Sequence, residues 1–353
     1  MALAVIASLV ACSTEDPFDD DGATYVTTGV SGATNGATTS SGPSTGAWSN
    51  GSGAGGAGGA PSTGPYPIVF AHGFFGFNDF AGAGFLTYFY GVKDDLEAHG
   101  ETMIYTPAVD PFNDSDFRGA QLEVDIEDIL AETGKDKVVI IGHSQGGLDA
   151  RVVAHDRPDL VAAVITVATP HHGAKVADVI LQLVSDPNWQ NAADDLVQLI
   201  GAPLYDQVGN ETSVIKPLQL FSQPGIAAFN AAYPDSPNVF YASIAGRTDY
   251  ALGGQACAPD VAQPFISKYD LDKDPTEPLL WVSEAIADGN GSEVNDGLVS
   301  VESGKHGEFW GCIPADHMDE VGQIGGDSPG LGNPFNHKAF YRDLVAHLRA
   351  LGY

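Results

Sequence analysis

Gly142-His143-Ser144-Gln145-Gly146 sets a serine between two glycines, directly after the apolar run Val138-Val139-Ile140-Ile141. A sharp strand-to-helix turn can lift such a hydroxyl clear of a sheet, because the residues two before and two after it carry no side chain to block the neighbouring backbone. Serine alone is a weak nucleophile. It needs a base to take its proton during attack and a carboxylate to keep that base in one tautomer. Downstream lie Asp296, within Asn295-Asp296-Gly297-Leu298-Val299, and His317, within Asp316-His317-Met318-Asp319-Glu320. The pattern points to acyl transfer through a covalent intermediate, with Ser144 as nucleophile, Asp296 as acid and His317 as base. His171, His172 and His306 are rival bases, and Asp288 is a rival acid. Negative charge on the attacked carbonyl oxygen needs two preorganised amide donors, and the N–H of Gln145, next to the nucleophile, suits one of them.

The elements that must position these groups are legible as alternating patterns. Strands are expected near Tyr66 to Ala71, Thr102 to Thr106, Lys137 to Ile141, Leu160 to Ala168 and Val239 to Ala245. Helices are expected near Phe85 to His99, Asp116 to Thr133, and from the serine turn to about Asp156. A closing helix repeats Phe340, Leu344, Leu348 and Leu351 at helical spacing. Strands alternating with helices predict a mostly parallel sheet covered on both faces. The chain order nucleophile, acid, base within that context is that of the α/β-hydrolase fold. From about Gly173 to Ser213 the alternation stops. Val176, Val179, Ile180 and Leu183, then Leu196, Leu199 and Ile200, fall on helical faces, which predicts a helical cap at about 173–215.

The first 64 residues differ from the rest. Met1 to Ala11 is apolar but too short to span a bilayer. Its end, Leu9-Val10-Ala11-Cys12, resembles a bacterial lipobox, although no Lys or Arg precedes Cys12. This predicts an export signal over 1–12 and a lipid-anchored Cys12; each buried acyl methylene adds about 0.8 kcal/mol of membrane affinity. Residues 13–64 are rich in Gly, Ser, Thr and Ala and read as a flexible tether. Residues 65–353 are long enough for one α/β domain. With Cys12 set aside, Cys257 and Cys312 remain as a pair, and in an exported protein they are expected to form a disulfide. The net charge of −31 argues against nucleic acid as a partner.

Five stretches in shared order resemble the bacterial true lipases of the Pseudomonas and Burkholderia type. They are Tyr66-Pro67-Ile68-Val69-Phe70-Ala71-His72-Gly73, Gly142-His143-Ser144-Gln145-Gly146-Gly147-Leu148, Thr169-Pro170-His171-His172-Gly173, Asn295-Asp296-Gly297-Leu298-Val299, and His317-Met318-Asp319-Glu320-Val321-Gly322-Gln323. The resemblance implies His317 rather than its rivals as base, and the Phe74 amide as second oxyanion donor. It also implies a structural Ca²⁺ held by Asp274 and Asp319 with the carbonyls of Gln323 and Asp327, an oxygen set that suits that ion. Some relatives need a dedicated foldase. Among the aromatics around residue 74, Phe75 and Phe77 are candidate substrate contacts, whereas Phe85 and Phe89 read as core.

The expected substrate is an ester lipid, most readily an acylglycerol, met at a membrane surface. Two other readings stand beside it. One keeps the chemistry but takes short-chain or polymeric esters; the other is a surface lipoprotein that binds lipid without catalysis.

Overall fold

The computed structural model describes residues 64–74, 88–183, 213, 215–248, 257–269, 280–288, 293–322 and 335–353. The expectations for Cys12, the 13–64 tether save Gly64, Phe75, Phe77, Phe85, Leu196, Leu199, Ile200, Asp274, Gln323 and Asp327 therefore lie outside the described residues.

Six strands form one sheet: β1 (Ile68–Ala71), β2 (Ile104–Tyr105), β3 (Val138–His143), β4 (Val161–Val167), β5 (Phe240–Gly246) and β6 (Glu308–Ile313). Their order is β2-β1-β3-β4-β5-β6, and every neighbouring pair is parallel. Parallel strands need crossovers that bury both faces. The described crossovers and flanking helices are α1 (Val92–Ala98), α2 (Ser115–Thr133), α3 (Gln145–Asp156), α4 (Lys175–Leu183), α5 (Ile215–Phe221), α6 (Gln223–Ala232), α7 (Pro264–Ser267), α8 (Trp281–Ala287), α9 (Val301–Gly304) and α10 (His337–Ala350).

The pleat sorts the apolar residues between two cores. Ile68, Phe70, Val139 and Ile141 face α1 and α10, meeting Val92, Leu96, Phe340, Leu344 and Leu348. Val69, Ala71, Val138 and Ile140 face α2 and α3, meeting Leu122, Ile126, Ala150 and Val153. Period-2 alternation in the strands and 3.6-residue spacing in the helices are thus both satisfied. α2 is started by Asp114, whose side chain accepts from the Phe117 amide at 3.1 Å.

Some expected boundaries shift. α1 begins at Val92 because Phe89 (φ 52°) and Gly91 (φ 63°) take left-handed conformations that cannot continue a helix. Phe89 is nevertheless core, packed on Phe70 and Tyr341. Leu351 lies past the end of α10 and is 51 % exposed, so the closing apolar stripe ends at Leu348. Strand β6 and helices α5 and α6 were not anticipated. Within the expected cap stretch, α4 rests Val176 and Ile180 against Leu218, Ile286, Ala287 and Leu298.

Candidate active site

β3 ends at His143 and α3 starts at Gln145, leaving Ser144 alone in the turn with φ 54° and ψ −128°. A non-glycine residue there is strained, and the packing around it enforces the conformation. The flanking glycines are required by contact: a Cβ at Gly142 would stand 2.5 Å from the Gly147 amide nitrogen, and one at Gly146 would stand 2.1 Å from the Ala71 carbonyl oxygen. The Ser144 amide donates to the Val167 carbonyl at 3.0 Å, fixing the turn over the end of β4.

Ser144 Oγ lies 2.9 Å from His317 Nε2, and His317 Nδ1 lies 2.8 Å from Asp296 Oδ2. A carboxylate can only accept, so Nδ1 carries the proton and Nε2 presents its lone pair to the serine hydroxyl. Asp296 Oδ1 is held by the amides of Leu298 (2.9 Å) and Val299 (2.7 Å). All three residues sit beyond the carboxyl ends of strands: Ser144 after β3, Asp296 in a loop whose Asn295 carbonyl accepts from Thr248 after β5, and His317 after β6. Open α/β sheets place ligands at this edge.

Two of the three rival bases are engaged elsewhere. His171 is buried, with Arg151 Nη1 3.3 Å from its Nδ1 and Thr166 Oγ1 3.0 Å from its Nε2. His306 stacks on it at 4.3 Å and shares a 2.9 Å hydrogen bond with Asp235, and His172 is exposed. Asp288 follows α8 as its C-cap.

The loop after β1 runs against the nucleophile. A Cβ at Gly73 would stand 2.7 Å from Ser144 Cβ, so Phe74 is the next residue beside it. The Phe74 ring turns edge-on to Phe112 (6.0 Å) and Phe221 (6.5 Å), forming an apolar wall that the sequence did not single out. Gln145 is buried, and its side-chain amide donates to the Asn113 carbonyl at 2.7 Å. A cleft of about 450 Å³ opens beside the acid loop, lined by His172, Lys175, Gln223, Leu298, Ser300 and Glu302 among others.

Behind His317 is a buried polar network that was not legible in the sequence. His143 shares hydrogen bonds of 2.6 Å with both Tyr88 Oη and Glu320 Oε2, and its ring centroid lies 4.7 Å from that of His317. Burial, reinforced by His317, pushes the His143 pKa well below the usual imidazole value. Burial and the charges of Asp296 and Asp316 push Glu320 well above the usual carboxyl value. Ligand atoms of His143, His317 and Glu320 lie within 4.8 Å of one another. Both nitrogens of each imidazole already have partners, so the set is a hydrogen-bonded network rather than an open cation site. The only signal was positional: His143 and Glu320 fall inside the two motifs, while Tyr88 has none.

Asp319 is buried two residues after His317, and Asp316 Oδ1 accepts from the amides of Met318 (2.9 Å) and Asp319 (3.0 Å). Cys257 and Cys312 form the expected disulfide, with Cα atoms 5.5 Å apart across 55 residues.

Fold and site together define an α/β-hydrolase with an aligned serine, histidine and aspartate, and the alpha/beta hydrolase fold family model matches residues 66–208. A triacylglycerol lipase from Burkholderia plantarii is 30 % identical over 287 residues, covering 73 % of this chain and 79 % of that one. Another from Pseudomonas fragi is 30 % identical over 285 residues, covering 76 % and 92 %. The Staphylococcus hyicus lipase structure shares the fold, with a TM-score of 0.57 and 17 % identity over 81 % of this chain and 96 % of that one. The chain belongs to the family of the bacterial triacylglycerol lipases.

Proposed function

We propose that this protein is a triacylglycerol lipase that hydrolyses its substrate through an acyl-enzyme on Ser144. The reading is carried by one observation: the hydrogen-bonded line from Ser144 Oγ through His317 to Asp296 at the carboxyl edge of the sheet. Ser144 Oγ attacks the ester carbonyl carbon as His317 Nε2 takes its proton. The amides of Phe74 and Gln145 receive the oxyanion, where one such donor contributes on the order of 3 kcal/mol to the transition state. The imidazolium, stabilised by Asp296, then returns the proton to the leaving alcohol. Water, deprotonated by the same imidazole, releases the fatty acid and restores the serine. Phe74, Phe112 and Phe221 offer the acyl chain an apolar wall, and Phe75 and Phe77 are the further substrate contacts proposed from the sequence.

Asp319 fits a role in calcium binding. It is a buried carboxylate close enough to Asp316 and Glu320 to raise the latter's pKa, and its oxygen is a hard donor. Asp274 and the carbonyls of Gln323 and Asp327 complete the proposed set, whose ion would pin the His317 loop. Export is supported by the disulfide. The proposed organisation is a signal over 1–12 with a lipidated Cys12, a tether over 13–64 and a cap at about 173–215, with a foldase as a further partner.

The test is hydrolysis of p-nitrophenyl esters of increasing chain length beside an emulsified long-chain triglyceride, with Ser144 titrated by a phosphonate. Turnover of the triglyceride and one adduct per chain on Ser144 are expected. Activity confined to soluble short esters would make it an esterase, and no adduct would leave a lipid-binding protein.

A further inference from the structure

Arg118 is a charge with no contact to the surface. Its side chain is fully buried on α2, where Nε and Nη2 each lie 2.8 Å from Asp149 Oδ2. The remaining donors reach backbone: Nη2 donates to the His72 carbonyl at 2.5 Å, and Nη1 to the carbonyls of Asp110 at 2.9 Å and Gly73 at 3.3 Å. His72 Nδ1–H adds a second donor to the Gly73 carbonyl at 2.9 Å. Asp149 stands one helical turn beyond Gln145 on α3, so the same guanidinium ties the loop after β1 to the helix that begins at the nucleophile. The next residue makes this reach feasible. A Cβ at Gly119 would stand 2.6 Å from Val152 Cβ, and its absence lets α2 and α3 close.

A fully buried ion pair is weak evidence for stability, since apolar residues of similar volume often do as well. Its geometric consequence is more specific. The Gly73 carbonyl and the Phe74 N–H belong to one planar trans peptide and point in opposite directions. Holding the oxygen toward Arg118 therefore directs the N–H away from it, and flipping that peptide would break the bonds from both Arg118 and His72.

We propose that Arg118, anchored by Asp149, is a positioning residue that sets the Gly73–Phe74 peptide in the orientation and register needed for oxyanion binding. This rests on the reading of the Phe74 and Gln145 amides as the oxyanion donors. Tetrahedral charge, not substrate binding, is what the clamp serves.

The experiment compares Arg118→Lys and Asp149→Asn with the parent protein on a soluble p-nitrophenyl ester. Active sites are counted by phosphonate adduct mass, and an alkyl boronic acid serves as the tetrahedral mimic. For Arg118→Lys a fall in kcat of about 10²-fold is expected, in line with a 1 Å misplacement of a catalytic group, at nearly unchanged KM and with boronic acid affinity falling in parallel. Asp149→Asn, which is isosteric and carries the test if Arg118→Lys does not fold, should show a smaller change of the same kind. A lowered Tm with parental kcat per titrated site and parental boronic acid affinity would overturn the proposal, leaving the pair structural. Replacing the Phe74 amide by an ester, through incorporation of the α-hydroxy acid, removes the N–H and tests the oxyanion reading separately. If that ester leaves kcat intact, the donor assignment fails. If it lowers kcat while Arg118→Lys does not, only the clamp fails. With both correct, Arg118→Lys should cost little in the ester background.

Discussion

Asp296 grips His317 twice, its carboxylate Oδ2 meeting Nδ1 at 2.8 Å and its main-chain carbonyl accepting the His317 amide at 2.9 Å. The second bond holds the loop, so the first is free to act on the tautomer alone. Asp296→Asn keeps the main-chain bond and the shape but loses the obligate acceptor. Its kcat is expected to fall about 10⁴-fold with little change in Tm. Ser144→Ala should abolish turnover and phosphonate labelling while the protein stays folded. Labelling that persists in Ser144→Ala would locate the nucleophile elsewhere.

The Cys257–Cys312 bridge closes a loop that contains Asp296 and ends just before His317. Its sulfurs lie in a buried cluster with Ala245, Val294, Val301 and Phe309. The double substitution Cys257→Ser and Cys312→Ser should lower unfolding stability by up to about 4 kcal/mol on the loop-entropy estimate. Urea unfolding of both proteins measures it, and equal midpoints would mean that the bridge contributes nothing.

His72 is held neutral. Burial, helped by the nearby charge of Arg118, pushes its pKa down to about 3, while the unfolded chain keeps the ordinary 6.5. Between these values the unfolded state binds the extra proton. The stability from neutral His72 is therefore complete above pH 6.5 and lost as pH falls toward 3, by up to about 1.4 kcal/mol per pH unit. Burial displaces His143 and His171 in the same direction. His72→Gln should flatten the acid limb of a stability profile from pH 7 to 4 by about one proton, and an unchanged slope would count against a buried neutral ring.

Gly246 ends β5 where a Cβ would stand 1.7 Å from Glu320 Oε1. Gly246→Ala must displace the carboxyl that holds His143 behind His317. A destabilisation of about 1–3 kcal/mol from overpacking is expected, together with a lower kcat per titrated site. Parental values of both in thermal melts and kinetics would refute this packing.

Chelation tests the calcium assignment. EDTA should lower Tm and added Ca²⁺ restore it, since a ligand that binds only the folded state adds about 2.7 kcal/mol at a hundred times its Kd. Asp319→Ala should melt at one temperature with or without the ion. A parent Tm indifferent to EDTA removes calcium from the account.

Local pattern was enough where a residue's role depends on its near neighbours. The strand, glycines and serine of the turn were legible because the strained turn is spelled out by five consecutive residues. A parallel sheet covered on both faces was legible from apolar runs alternating with helical patterns. The disulfide followed from having two cysteines left. Elements whose form depends on distant packing were not: β6 carries Gly311 inside Glu308–Ile313 and is a strand because β5 pairs with it, and α1 starts late because the backbone turns left-handed at Phe89.

In the site, Ser144 and Asp296 were picked out by type and order and His317 by the family resemblance, but their alignment is a product of the sheet. It brings together the ends of three strands from residues as many as 173 positions apart. Beyond the place of His143 and Glu320 in the two motifs, the bonding of Tyr88, His143 and Glu320 to one another and of Arg118 to Asp149 leaves no mark in the sequence. A buried polar side chain takes its meaning from the partner that desolvation forces on it, and that partner is chosen only when the chain has folded.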